Sequence, residues 1–215
     1  MTKTLAMFDD VTVSLLPAGY AAYAAYADGH YENIDAVRAR FPKALILSID
    51  ISASYHRGDV LDVENGDATP AQAPGWFKAR EHHTTTPKPI LYTSASQVDA
   101  LVSAMTRAGI ARSRYYIWSA HYTGKAHICG TGCNYPKADG TQWTDRALGR
   151  SLDESLMEDY MFTAPKPPVV KNRVQQARTL LTEAAALLEA TPKTRVVVHA
   201  QARIVRGVLA KLPTK

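Results

Sequence analysis

Residues 60–67, V-L-D-V-E-N-G-D, decide how the fold is read. Successive side chains of a β-strand point to opposite faces, so Asp62 and Glu64 project to one side and Leu61 and Val63 to the other. A short apolar strand thus ends in two acids that share one small space. Like charges held close do not both ionise freely, and surroundings that separate their pKa values make such a pair a general acid and its electrostatic partner. An isolated D-x-E more often binds a cation, caps the next element or sits in water, so its context decides.

Outward from this stretch, strand-like runs recur and end in polar or acidic residues. L-A-M-F (5–8) ends in Asp9-Asp10, Y-A-A-Y-A-A-Y (20–26) in Asp28-Gly29, and A-L-I-L-S-I (44–49) in Asp50. After the 60–64 strand come P-I-L-Y-T-S (89–94), R-Y-Y-I-W-S-A (114–120) and T-Q-W-T (141–144), with an eighth strand placed near 127–135 or 152–156. Continuous apolar runs suit strands buried on both faces of a parallel sheet. Helices are predicted between them over 33–41, over 70–80 with Thr69 as cap, and over 96–108 with Ser96 as cap and Gly109 as stop. Strand-helix alternation indicates an α/β domain, and acids collected at the strand ends favour a TIM-type (β/α) barrel, complete or irregular. An open doubly wound sheet is the less favoured form, because no Gly-rich phosphate loop is present.

The barrel is expected over 1–162. T-A-P-K-P-P gives a stiff Pro-rich linker at 163–168. Beyond it, 169–215 reads as an amphipathic helical hairpin, with Val170, Val174, Ala177, Leu181, Ala184 and Leu188 along one stripe and Val197, Ala200, Ile204, Val208 and Leu212 along another. Its expected roles are packing on the domain, homo-oligomerisation, or docking into a larger assembly such as a virion.

The formal charge of +5 is carried by residues 166–215, where ten Lys or Arg stand against Glu183 and Glu189, while residues 1–165 hold 15 basic and 18 acidic residues. A nucleic-acid footprint is therefore not expected. No run reaches the roughly 18 apolar residues of a membrane span. The start, M-T-K-T-L-A-M-F-D-D, meets acids before an apolar signal region forms, so a chain made in the cytoplasm is expected. Cys129 and Cys133 in C-G-T-G-C could close a small loop as a disulfide or stand as two free thiols. A zinc site would need two further ligands, of which His127 is the obvious one, and no metal or organic cofactor is expected.

With acids at the ends of strands one and four and an aromatic-rich segment later, residues 5–160 resemble the glycoside hydrolase family 25 lysozymes, and more narrowly their short divergent forms in actinobacteria and their phages. The family's D-x-E is matched by Asp62-Val63-Glu64. Its first-strand Asp is matched by Asp9 or Asp10: F-D favours Asp9, and D-V-T, similar to the family's D-V-S, favours Asp10. P-I-L-Y-T-S and W-S-A-H-Y (118–122) resemble further family motifs. So do Gln142-Trp143, transposed relative to the family's order, and Asp153-Glu154-Ser155, where Ser replaces Asn.

The resemblance implies a muramidase acting on peptidoglycan glycan strands, at the cell wall or as part of a phage particle. In this reading Glu64 is the general acid, Asp62 its orienting or charge-stabilising partner, and Asp9 or Asp10 with Asp153 complete an acidic floor. Tyr26, Asp28, Tyr92, Trp118, Tyr122, Gln142 and Trp143 are the candidate substrate contacts. The alternative from another class is a catalytically inactive barrel that binds cell wall or builds a virion.

Overall fold

The computed structural model describes residues 3–131 and 133–162. The expected linker at 163–168 and helical hairpin at 169–215 lie outside the described residues. Eight strands, β1 (Thr4–Asp9), β2 (Ala22–Tyr26), β3 (Leu45–Asp50), β4 (Val60–Asp62), β5 (Ile90–Ser94), β6 (Tyr116–Ala120), β7 (Gly140–Thr144) and β8 (Asp153–Glu158), close into a barrel in sequence order. β1 through β7 pair in parallel. β8 runs antiparallel to both β7 and β1 and closes the barrel between them.

The barrel therefore departs from a regular TIM type, in which all strands are parallel and each is followed by a helix. Among the described residues, α1 (Ile34–Arg40) follows β2, α2 (Ala73–Arg80) follows β4 and α3 (Val98–Arg107) follows β5, while the other crossovers are loops and 3-10 turns. Segment 145–152 is short, as antiparallel connections can be, and it turns β8 back alongside β7. Segment 121–139 is long enough for a helix, but Gly124, Gly130, Gly132 and Pro136 oppose one.

Period-two alternation sorts the side chains into layers. Met7, Ala22, Ala24, Leu47, Ile49, Val60, Ile90, Trp118 and Met157 form the cluster inside the barrel. Leu61, Val63, Leu91 and Ile117 face the other way and pack with Trp76 and Phe77 of α2 and Val98, Leu101 and Met105 of α3. Phe8, Tyr23 and Ala25 do the same with Ile34, Val37 and Phe41 around α1. The helices begin later than expected: Gln72 precedes α2, accepting bonds from the Thr69 N–H and hydroxyl at 2.9 Å each, and a 3-10 turn through Ser96 precedes α3. No helix among the described residues is long and apolar enough to cross a membrane.

The crossover from β3 to β4, residues 51–59, is shorter than the dozen or so residues that parallel pairs ordinarily need. Side chains hold it in place of a helix. Asp28 accepts the Ile51 and Ser52 N–H groups at 2.7 and 3.1 Å, and Asp50 accepts the Arg57 N–H at 2.9 Å and the Trp76 indole N–H at 2.8 Å. Buried Arg80 donates to the carbonyls of Gly58, His56, Arg57 and His83 at 2.8, 3.1, 3.2 and 2.8 Å. A guanidinium spans four acceptors because its donors are fixed in a planar fork, which an ammonium lacks. Arg80→Met is expected to lower the unfolding free energy by about 3 kcal/mol in urea titrations, with Arg80→Lys recovering less than half of the loss.

Candidate functional site

Parallel strands bring their C-terminal residues to one end of the barrel, and antiparallel β8 brings its first residue to the same end. Asp9 ends β1, Asp62 ends β4 and Asp153 starts β8, with Asp9 directly opposite Asp153 in the β1–β8 register. Alternation turns Asp9 inward with Met7, and Asp62 inward with Val60. Both are buried, and Oδ1 of each has no hydrogen-bond partner. Strand β4 ends before Glu64, but the Val63 N–H still donates to the Tyr92 carbonyl at 2.9 Å, so the chain stays aligned up to Glu64. Glu64 is half-buried and lines a groove of about 510 Å³ with Asn65, Thr69, Ser94 and Gln97.

Burial is the first cause of every raised carboxyl here, with like charge adding to it. Asp9 is held well above the usual range by burial, then by Asp153, Asp62 and Asp10. Asp62 is pushed up to about 8 by burial, then by Glu64 and Asp67. Asp153 rises to about 6 through burial and Asp145, while a hydrogen bond from Gln142 works the other way. Glu64 is raised by burial and then by Asp67. The site thus keeps a proton on Asp62 at neutral pH and leaves Asp153 mostly ionised.

The other candidates divide into those at the site and those that support it. Asp10 takes the Thr12 N–H at 2.6 Å in a local turn, so of the two first-strand acids Asp9 is the one inside. Asp28 is committed to the 51–59 crossover. Trp118 is 1% exposed, donates its indole N–H to Ser155 Oγ at 3.0 Å and lies 4.6 Å from the Tyr92 ring; it is floor rather than wall. The Tyr92 hydroxyl donates to Gln142 Oε1, and Tyr122 and Asp153 interact electrostatically with this pair. Tyr26 and Trp143 are half-buried and Tyr122 is exposed, so these three offer aromatic surface. Two contributors escaped the sequence reading: Asp67, which acts on Asp62, Glu64 and Tyr26, and exposed Tyr31, 6.0 Å from the Tyr26 ring. Asp67 sat inside the quoted D-V-E-N-G-D stretch, where only a turn returning the chain toward the barrel would have shown its role.

Among the described residues, those able to hold a metal ion gather on the 121–139 crossover: His121, His127, Cys129 and Cys133. The two cysteines are free thiols, so the disulfide allowed by their spacing is not formed.

Comparison with known proteins adds little. No protein-family model matches the chain, and no curated protein does. A solved structure described as the 1.07 Å crystal structure of an uncharacterized B. stearothermophilus protein is similar at 14% identity over 74% of this chain and 97% of that one, with a TM-score of 0.47. That likeness is too distant to carry an argument about function.

The buried acids also set a pH dependence of stability. Asp62 ionises near its ordinary 3.8 when unfolded and near 8 when folded, so between these values the folded chain binds the extra proton and stability falls as pH rises. Stability from this group is fully present below about pH 4. Asp62→Asn is expected to raise Tm by on the order of 5 °C at pH 8 and to leave it unchanged at pH 4, as read by circular dichroism melts.

Proposed function

We propose that the barrel is a glycoside hydrolase that cleaves cell-wall peptidoglycan as a muramidase does, with Glu64 as its general acid. The observation that carries this reading is the set of carboxyls at one barrel end, with affinities for protons pulled apart, next to a groove that reaches Glu64. Glycoside cleavage needs a protonated acid at the leaving oxygen and a second carboxylate to stabilise or trap positive charge on the sugar. In this reading a glycan in the groove brings its glycosidic oxygen to Glu64. Asp62 lies deeper, buried with Asp9, and acts as the orienting or charge-stabilising partner of Glu64. Asp153 supplies negative charge beneath the ring, and Tyr26, Tyr122 and Trp143 stack on neighbouring sugars.

The resemblance of D-V-E, P-I-L-Y-T-S and W-S-A-H-Y to the family 25 lysozymes supports the same chemistry, on an irregular relative of the TIM-type barrel. The site of action would be the cell wall or a phage particle, with residues 169–215 serving oligomerisation or assembly.

One observation favours a variant of this scheme: Asp62 holds its proton more tightly than an ordinary carboxyl, which suits a donor. The pH profile separates the two. A general acid works while protonated, so the rate falls as pH rises through its pKa. Release of reducing ends from purified peptidoglycan is expected to drop at least about 100-fold in Glu64→Gln with the fold intact. If instead activity persists to about pH 8 and is lost in Asp62→Asn but kept in Glu64→Gln, Asp62 is the donor. No release by the intact protein from several walls, an actinobacterial one included, would leave a barrel that binds cell wall or builds a virion.

A further inference from the structure

Among its described residues, the β6–β7 crossover from His121 to Asp139 has no helix or strand, longer than loops in compact domains usually run unsupported. Four donor atoms meet on it. One each from His121, His127, Cys129 and Cys133 lie within 4.8 Å of one another. His121 Nδ1 is 3.0 Å from His127 Nε2, and Cys129 Sγ is 3.6 Å from the first and 3.8 Å from the second. A tetrahedral ion with bonds of about 2.0 Å to nitrogen and 2.3 Å to sulfur spaces two nitrogens by about 3.3 Å and nitrogen from sulfur by about 3.6 Å. The separations among His121 Nδ1, His127 Nε2 and Cys129 Sγ match those edges within a few tenths of an ångström, and the Cys133 donor lies within 4.8 Å of all three.

The surroundings fit the same ion. His127 Nδ1 lies 2.9 Å from the Lys125 carbonyl, which fixes the N–H on that nitrogen and turns the bare Nε2 lone pair into the cluster. The ligands are tied to the barrel by the His121 N–H on the Gln142 carbonyl and the Cys129 N–H on Thr141 Oγ1, both at 2.9 Å. Gly130 has φ +88°, and a Cβ there would sit 2.5 Å from Lys137 Cα, so glycine lets the loop cross itself beside Cys129.

The geometry points to a zinc site: one Zn²⁺ held by His121 Nδ1, His127 Nε2 and the thiolates of Cys129 and Cys133. Two thiolates with two imidazoles select zinc over the hard cations, and four protein ligands leave no open position, so the ion is structural. It staples the crossover that has no helix, and it fixes the position of Tyr122, which follows His121. The site stands independently of the glycosidase reading.

The test uses the full chain, purified with reductant. One zinc per chain is expected by elemental analysis after dialysis. After chelation, Co²⁺ should titrate to a one-to-one end point with thiolate charge-transfer and tetrahedral ligand-field absorption, and Zn²⁺ should displace it. Cys133→Ser is expected to weaken Co²⁺ binding at least about 100-fold without changing the far-ultraviolet circular dichroism. If Cys129→Ser, at the buried position, does not fold, the Cys133 variant and the wild-type titration still decide. A reduced, chelated wild-type chain that stays folded and takes up neither metal overturns the proposal, as does Co²⁺ bound without thiolate absorption. A chelated chain that unfolds and regains its spectrum with Zn²⁺ supports it.

Discussion

The register between β1 and β8 is the constraint on which the rest of the structure depends. Seven parallel strands would leave two unpaired edges, and an eighth parallel strand would set its first residue at the far end of the barrel. Running antiparallel, β8 satisfies both edges and brings Asp153 opposite Asp9. The same closure seals the interior over Met7, Ala22, Trp118 and Met157. Burial is the leading cause of the raised Asp9, Asp62 and Asp153 carboxyls. Closing the barrel and preparing the acids are thus one physical event.

Acids elsewhere in the barrel show why these stand out. Asp59 is as buried as Asp62, yet its oxygens take the Ser48 hydroxyl at 2.8 Å and the Thr85 N–H at 2.6 Å. Asp28 is likewise filled by two backbone donors. A carboxylate surrounded by N–H groups is stable when buried, whereas Asp9 and Asp62, like Asp50 at the 51–59 crossover, keep an oxygen with nothing to accept. An unsatisfied buried acid costs stability, and natural proteins retain such costs chiefly where function requires them.

Much of this was legible from residues alone. The alternation of V-L-D-V put Leu61 and Val63 on one side and Asp62 on the other, and the strand ends named Asp9 or Asp10 and Asp62, while Asp153 entered through the family resemblance. The direction of β8 was not legible, because alternation reads the same in either direction. Nor was the structural duty of Asp28, since a carboxylate that binds two amides across a crossover looks in sequence like any acid at a strand end. Trp118 was read as a subsite aromatic at a strand end, but it lies in the middle of β6, where pairing with Tyr92 points it inward. His121 was read only as an unassigned position within W-S-A-H-Y; grouped instead with His127, Cys129 and Cys133, it gives H-x5-H-x-C-x3-C.

The barrel lacks helices at several crossovers, and the two beside the site show what replaces them. In a helix-backed barrel, an amphipathic face buries apolar area and holds each loop by packing. The 51–59 crossover has no such face and depends on directional bonds from Asp28, Asp50 and Arg80. The 121–139 crossover depends on a convergence of imidazoles and thiols. Polar networks of this kind place atoms more narrowly than apolar contacts do, but they fail together when one member is lost. That narrowness suits loops next to a site whose acids must keep their spacing, because a shift of about 1 Å near reacting groups is enough to lose two orders of magnitude in rate. The sparse helices are therefore consistent with a working barrel: the loops nearest the carboxyls are held by bonds that fix position.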